Sequence, residues 1–330
     1  QVLLANWAPP YQRTILPVGA HSGNIIGLML ALSGGVFTDT SVKSWEYYTY
    51  FSVVLGIIST IFWALFVYDH PWEHPYITEA EKKMLIDTLH PEGLPKKESF
   101  RDIPLRAIFS SPHLYLTSVA HLANNFILYM MLTNHPKYLK SEYGADLRQS
   151  STIPIIAFAC NTIAQIPFSI ATQYAQKHVK RPETFFRKLN GVIGFFGASL
   201  FLLPIGFTGC SMFKSEIYII LCMIFLAANQ CAFFVGMINL SRKYAAIVMG
   251  FSNSIASIAG FVSPVMVSAF QEAYGIHDGW TYSYITTAAL TITGGSIWLL
   301  FGSCEPQHWG VRKTVAVIEK NNESIEVEAL

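Results

Sequence analysis

Residues 114–132 read LYLTSVAHLANNFILYMML, without one Asp, Glu, Lys or Arg among them. The run does not alternate polar with apolar residues, which the roughly ten-residue segments of a membrane β-barrel would do. It belongs to a longer uncharged window covering 107–136, and seven more such windows occupy 14–38, 47–68, 149–176, 189–213, 217–241, 244–271 and 279–304. Each exceeds the ~20 residues that cross about 30 Å of hydrocarbon at a rise of ~1.5 Å per residue. Backbone amides in lipid must find their partners within the segment, so the windows are expected to be helices. The expected fold class is therefore an all-α integral membrane bundle with eight transmembrane helices.

Composition agrees. Of 330 residues, 52% are hydrophobic and 13% charged, with a mean hydropathy of +0.37 and a net charge of +1. Soluble chains are about one-quarter charged. The shortage excludes a disordered protein, a nucleic-acid binder with a basic patch and an ordinary cytosolic enzyme. Cys160, Cys210, Cys222, Cys231 and Cys304 lie in or beside apolar stretches without metal-ligand spacing and read as small buried hydrophobes. No nucleophile–base pair, ligand cluster or phosphate loop marks the windows, so no enzyme activity, metal or resident cofactor is expected.

Lys and Arg in the connections set the orientation. Alternate gaps and both ends carry 17 of them and the remaining gaps 5, which places both termini and the long connection on the cytoplasmic side. The opening QVLLANWAPPYQR has neither the basic start nor the cleavage site of a signal peptide. It also lacks an initiator Met, so the chain is expected to begin inside a longer reading frame. The expected organisation is two helices in 1–68, a cytoplasmic loop in 69–106, six helices in 107–304 and a cytoplasmic tail in 305–330. Within the loop, Thr78 followed by Glu81 reads as a capping box opening a cytoplasmic helix. Two six-helix halves joined by such a loop would have about four more helices in front. In the first window Gly19, Gly23, Gly27, Ala31 and Gly35 recur at i+4, a small-residue face that admits a neighbouring backbone, either as static packing or as a moving contact between halves.

Several motifs carry a resemblance. Trp7–Arg13, WAPPYQR, is similar to W-A-P-P-x-E-R, and Tyr68–Thr78, YDHPWEHPYIT, to Y-[DE]-x-P-x-x-H-P-x-I-[ST]. Ala120, His121, Asn125 and Tyr129 resemble the seventh helix of sialin-like proteins. KYAAIVMGFSNSIASIAGFVSP resembles R-Y-A-x-I-L-M-G-x-S-N with its following Gly-x-x-x-Pro, and Glu305, Gln307 and Trp309 match E-x-Q-x-W. The family is that of the anion:cation symporters of the major facilitator superfamily, which includes sialin, vesicular glutamate transporters and type I phosphate transporters (solute carrier family 17). The resemblance covers almost the whole chain and aligns it with helices five to twelve of twelve.

The resemblance implies secondary active transport of a small organic anion by alternating access, sialin-like and coupled to H+ or Na+, in a lysosomal, vesicular or plasma membrane. The implied partners are that anion and the lipid bilayer, with no nucleic acid. Two alternatives stand beside it, an inorganic phosphate symporter and a truncated chain that transports nothing because its cavity is incomplete. Departures matter too. Gln12 replaces the motif's Glu, Gln176 an Asp, and Met237 and Asn239 a His and an Asp. Asn124 replaces the seventh-helix Arg of the glutamate carriers, which leaves no guanidinium there to grip a second carboxylate.

Chemistry inside uncharged windows must come from neutral polar groups and histidine. His121, Asn125 and Tyr129 fall at i, i+4 and i+8, with Asn124 beside them. Asn161 and Gln165 are i, i+4; Asn229, Gln230 and Asn239 follow in the sixth window and Ser252, Asn253, Ser254 and Ser257 in the seventh. Unpaired amides in hydrocarbon cost several kcal/mol, so these groups face partners or a wet cavity. The candidate cavity set is His121, Asn124, Asn125, Tyr129, Asn161, Gln165, Asn229, Asn253 and Ser254, against interhelical hydrogen bonding as the alternative for each. His121 is the candidate proton carrier, since an ordinary imidazole titrates near neutrality. Arg13, Gly19, Gly23, Gly27 and Pro264 are the candidate motif and gating residues; Pro264 bends its helix four residues after Gly260, and Pro154 and Pro167 flex theirs. The sequon Asn322-Glu323-Ser324 falls on the cytoplasmic side and should stay unused.

Overall fold

The computed structural model describes residues 2–9, 12, 15–37, 44–89, 103–209, 211–241 and 243–309. Arg13, Cys210 and the sequon lie outside the described residues. All eight windows are helical: α1 (Ile15–Phe37), α2 (Ser44–Phe66), α4 (112–143), α5 (Leu147–His178), α6 (Glu183–Phe207), α7 (Met212–Leu240), α8 (Ala245–Tyr274) and α9 (Ile276–Phe301), with α3 (Glu79–Leu89) in the long connection. The described residues contain no strand.

Seven of these helices are long and apolar enough to cross a membrane. The eighth is α4, the helix quoted first. His121, Asn124, Asn125, Asn134 and His135 dilute its hydropathy, and all five are buried. The helix that sequence reasoning singles out is thus the least lipid-like of the eight, because its polar groups point into the bundle.

Local chemistry sets the helix ends. Thr78 Oγ1 accepts from the Glu81 amide at 3.3 Å at the start of α3. Asp146 opens α5 with a full capping box, in which Oδ1 accepts from the Gln149 amide at 2.7 Å and the Gln149 side chain accepts from the Asp146 amide at 3.4 Å. Gly144 ends α4 in the left-handed region at φ 65°, where a Cβ would be strained.

Helix α4 lies between α8 and α9. Thr291 Oγ1 on α9 donates to the Ala123 carbonyl at 3.2 Å, and Asn134 Nδ2 donates to Ser263 Oγ on α8 at 2.9 Å. Helices α1 and α5 pack side by side, and α5 leans on α7 through Asn161. Two apolar cores flank a polar belt: one around Met130, Tyr138, Phe158, Met223 and Tyr284, the other around Phe195, Phe233, Met237 and Trp298. The two motifs of the N-terminal part meet in space. Trp7 Nε1 donates to the Tyr68 carbonyl at 3.0 Å, and its ring meets His74 edge-on at 5.7 Å.

The glycine stripe of α1 lies open among the described residues. Gly19, Gly23 and Gly27 are exposed, and a Cβ built on any of them meets no atom within 4 Å. Within the described residues no backbone uses the groove they open. Helix α1 instead presents its other side, with Ser22 and Ile25, to α5 and the core. Helix α2 rests on α1 through Gly34 and Tyr48 and is otherwise exposed.

Candidate functional site

The polar belt is built where α1, α4, α7 and α8 converge. His121 is buried and shares a hydrogen bond between Nδ1 and Ser252 Oγ on α8 at 3.0 Å. Its ring lies tilted against Phe233 at 5.4 Å. One turn on, Asn124 Oδ1 accepts from Asn229 Nδ2 on α7 at 3.1 Å. Asn125 is buried on the same face and makes no side-chain hydrogen bond among the described residues.

Two π turns shape this belt. Gln230–Phe234 on α7 carries Phe233 and Phe234, and Val192–Phe196 on α6 carries Gly194. Asn229 packs so tightly on Gly194 that a Cβ there would fall 2.0 Å from Asn229 Oδ1. Among the described residues, that oxygen and Gln230 Oε1 are buried without a hydrogen-bond partner. Wide helical turns recur at functional sites because they break the regular ladder and re-aim side chains.

The remaining candidates divide. Asn161 and Gln165 form interhelical bonds: Ser22 Oγ donates to Gln165 Oε1 at 3.2 Å, Gln165 Nε2 to Asn161 Oδ1 at 2.9 Å, and Asn161 Nδ2 to the Met223 carbonyl at 2.7 Å. One chain of donors ties α1, α5 and α7. Tyr129 stands apart from His121, with its ring against Gly260 on α8. His121 and Tyr129 thus both face α8, eight residues apart on each helix. Asn253 and Ser254 are exposed, and their neighbour Ser252 is the α8 residue that enters the belt. Pro264 sits inside α8 beside a cavity of about 180 Å³ lined by Asn134, Lys137, Gln271 and Trp280.

Sequence reasoning passed over two features. His21 on α1 rests its ring on Phe234 at 4.6 Å; a histidine in an uncharged membrane window was itself a signal. The other is a cluster at the far end of α7. Arg187, fully buried, donates from Nη1 to the Cys231 carbonyl at 2.8 Å and from Nη2 to Glu183 Oε1 at 2.7 Å. The segment after α9 docks beside it: Thr184 Oγ1 donates to Glu305 Oε1 at 2.9 Å, and the Gln307 amide to the Leu240 carbonyl at 3.0 Å.

Comparison with known proteins gives the family of this helical bundle. The sequence profile of the Major Facilitator Superfamily matches residues 1–264. The chain belongs to that superfamily. Within it, the chain is 28% identical to the probable vesicular glutamate transporter eat-4 of Caenorhabditis elegans, over 93% of this chain and 52% of that protein. It is 24% identical to sialin of Ovis aries over 93% and 61%, and 25% identical to a probable small intestine urate exporter of Mus musculus over 94% and 62%. These relatives form the group that the motifs resemble. The chain spans about half to three-fifths of their length.

Proposed function

We propose that this multi-pass membrane protein is a secondary carrier of small organic anions, working by alternating access as its sialin-like relatives imply. One observation carries the reading: the buried polar belt of His121, Asn124, Asn125 and Asn229 lies between helices of a superfamily whose members are transporters. Relatives whose names refer to glutamate and urate support an anionic cargo. Coupling to H+ or Na+, a cytoplasmic position for both ends and the loop, and a lysosomal, vesicular or plasma membrane location belong to the same proposal. Asn124, where glutamate carriers have Arg, favours a monocarboxylate over a dicarboxylate, since a neutral amide cannot hold a second carboxylate in bidentate fashion.

The test is uptake of labelled monocarboxylates, glutamate and phosphate into proteoliposomes holding the full-length protein, under imposed proton, sodium and voltage gradients. The proposal expects flux of a monocarboxylate in excess of glutamate and phosphate. No organic anion flux under any gradient sinks it.

A further inference from the structure

The eight windows of this chain contain no Lys or Arg. Arg187, at the edge of the neighbouring helix, is held by the Cys231 carbonyl and Glu183. The only side chains in the windows that can become cationic are His21, His113, His121 and His135. His135 is tied to Tyr284 at 2.9 Å beyond the belt.

His21 and His121 are different. They come from α1 and α4 and bracket the adjacent rings Phe234 and Phe233 of one π turn, at 4.6 and 5.4 Å. Ser252 holds one nitrogen of His121. Among the described residues no hydrogen bond reaches the other nitrogen of His121 or either nitrogen of His21. The other titratable or charged groups toward the middle of the surrounding helices include Tyr129 on α4, Cys160 on α5, Cys222 on α7, Cys231 on the π turn and the Arg187–Glu183 pair.

We propose that His21 and His121 form a two-imidazole seat that shares one proton and donates hydrogen bonds to the carboxylate of the transported anion. This rests on the carrier reading and adds His21, which lies outside the polar face of α4, as a binding residue. The physics is mutual compensation. An isolated imidazolium and an isolated carboxylate are each costly in a low-dielectric interior, whereas together they are neutral and charge-assisted. A second proton is opposed by the first, because like charges at short range disfavour one another. The proton and the carboxylate therefore occupy the seat together.

Two measurements test it on the full-length protein. In proteoliposomes, uptake of labelled gluconate, glutamate and urate is followed against external pH for the wild type, His21→Phe, His121→Gln, the double variant and the control His277→Gln. Each belt variant should cut acid-stimulated uptake about tenfold or more, the effect of losing one charge-assisted hydrogen bond. The double variant should be no worse than the poorer single one, and the control should keep the wild-type pH profile. A wild-type pH profile in both single variants overturns the pair and leaves the carrier reading standing. In nanodiscs, ¹⁵N-histidine spectra of the wild type should show the two rings titrating in separate, coupled steps, with the His121 step moving in His21→Phe. Independent titration overturns the pair whether or not any anion is carried, whereas coupled titration without uptake of any probe supports the pair and removes the carrier reading.

Discussion

Asn239 and Glu183 meet across two helices: Asn239 Nδ2 donates to Glu183 Oε1 at 2.7 Å, and the same oxygen accepts from Arg187 Nη2 at 2.7 Å. The motif that residues 237–239 resemble has Asp where this chain has Asn239. The carboxylate of this cluster comes from Glu183, one turn before Arg187 on α6. The fully buried guanidinium keeps a counter-charge, and the Asn239 amide holds that carboxylate in place.

This arrangement predicts an asymmetric mutational pattern. Glu183→Gln takes one carboxylate away from the buried Arg187, a loss of on the order of 3 kcal/mol for a fully buried pair. The Glu183 side chain is 39% exposed, so about 2 kcal/mol is expected after solvent screening. Asn239→Asp added to Glu183→Gln restores a carboxylate at the position the family motif uses, and should recover more than half of the loss. Thermal unfolding of the purified protein in detergent reads both. Equal stability of Glu183→Gln and wild type contradicts the assignment.

Gly194 and Gly23 make a contrasting pair. A Cβ on Gly194 lands on the Asn229 side chain and 3.0 Å from the Asn229 amide nitrogen, whereas one on Gly23 meets open space. Gly194→Ala should push α6 and α7 apart, break the Asn124–Asn229 bond and cost about 2 kcal/mol, a usual overpacking penalty. Gly23→Ala should be neutral or stabilising by up to ~1 kcal/mol, the helix-propensity gain. Chemical or thermal unfolding ranks them, and a reversed ranking refutes the packing described.

The Ser22–Gln165–Asn161–Met223 chain is a structural tie, and its loss should look structural. Asn161→Ala removes two of its bonds, worth roughly 0.6 kcal/mol each in membrane proteins. The expected result is a loss of about 1 kcal/mol in stability with KM for the transported anion unchanged. A raised KM at unaltered stability would place Asn161 in the cavity instead.

The helices were legible because the rule behind them is severe: ionised side chains in hydrocarbon cost several kcal/mol, so eight uncharged windows become eight helices. Face assignment was less legible. Among Ser252, Asn253 and Ser254, a step of 100° per residue decides which one enters the belt, and nothing in a run of three polar residues says which. Along the His121–Asn125–Tyr129 stripe, His121 and Tyr129 both meet α8, at Ser252 and Gly260, a partner that the spacing could not name. Pairings such as Asn239 with Glu183, or His21 with Phe234, join residues far apart in sequence on separate helices. The glycine spacing in α1 marked a face correctly but could not say whether anything described lies against it.

The exposed side of α8 yields the last prediction. Asn253 and Ser254 are exposed while Ser252 is fully buried. Their hydrogen-bonding differs as well: the Ser254 hydroxyl turns back to the Gly250 carbonyl at 2.9 Å, whereas the Asn253 amide has no side-chain partner among the described residues. An unpaired amide facing acyl chains costs several kcal/mol, so this face must meet water or another polar surface. Cysteine placed at 253 in the full-length protein should therefore react with a water-soluble maleimide, and cysteine at 252 should not. Transported anion at saturating concentration should slow the reaction at 253 if the wet surface belongs to the transport path. Inertness at 253 together with labelling by a lipid-soluble reagent means that the amide faces the bilayer, and the placement of the α8 polar face is then wrong.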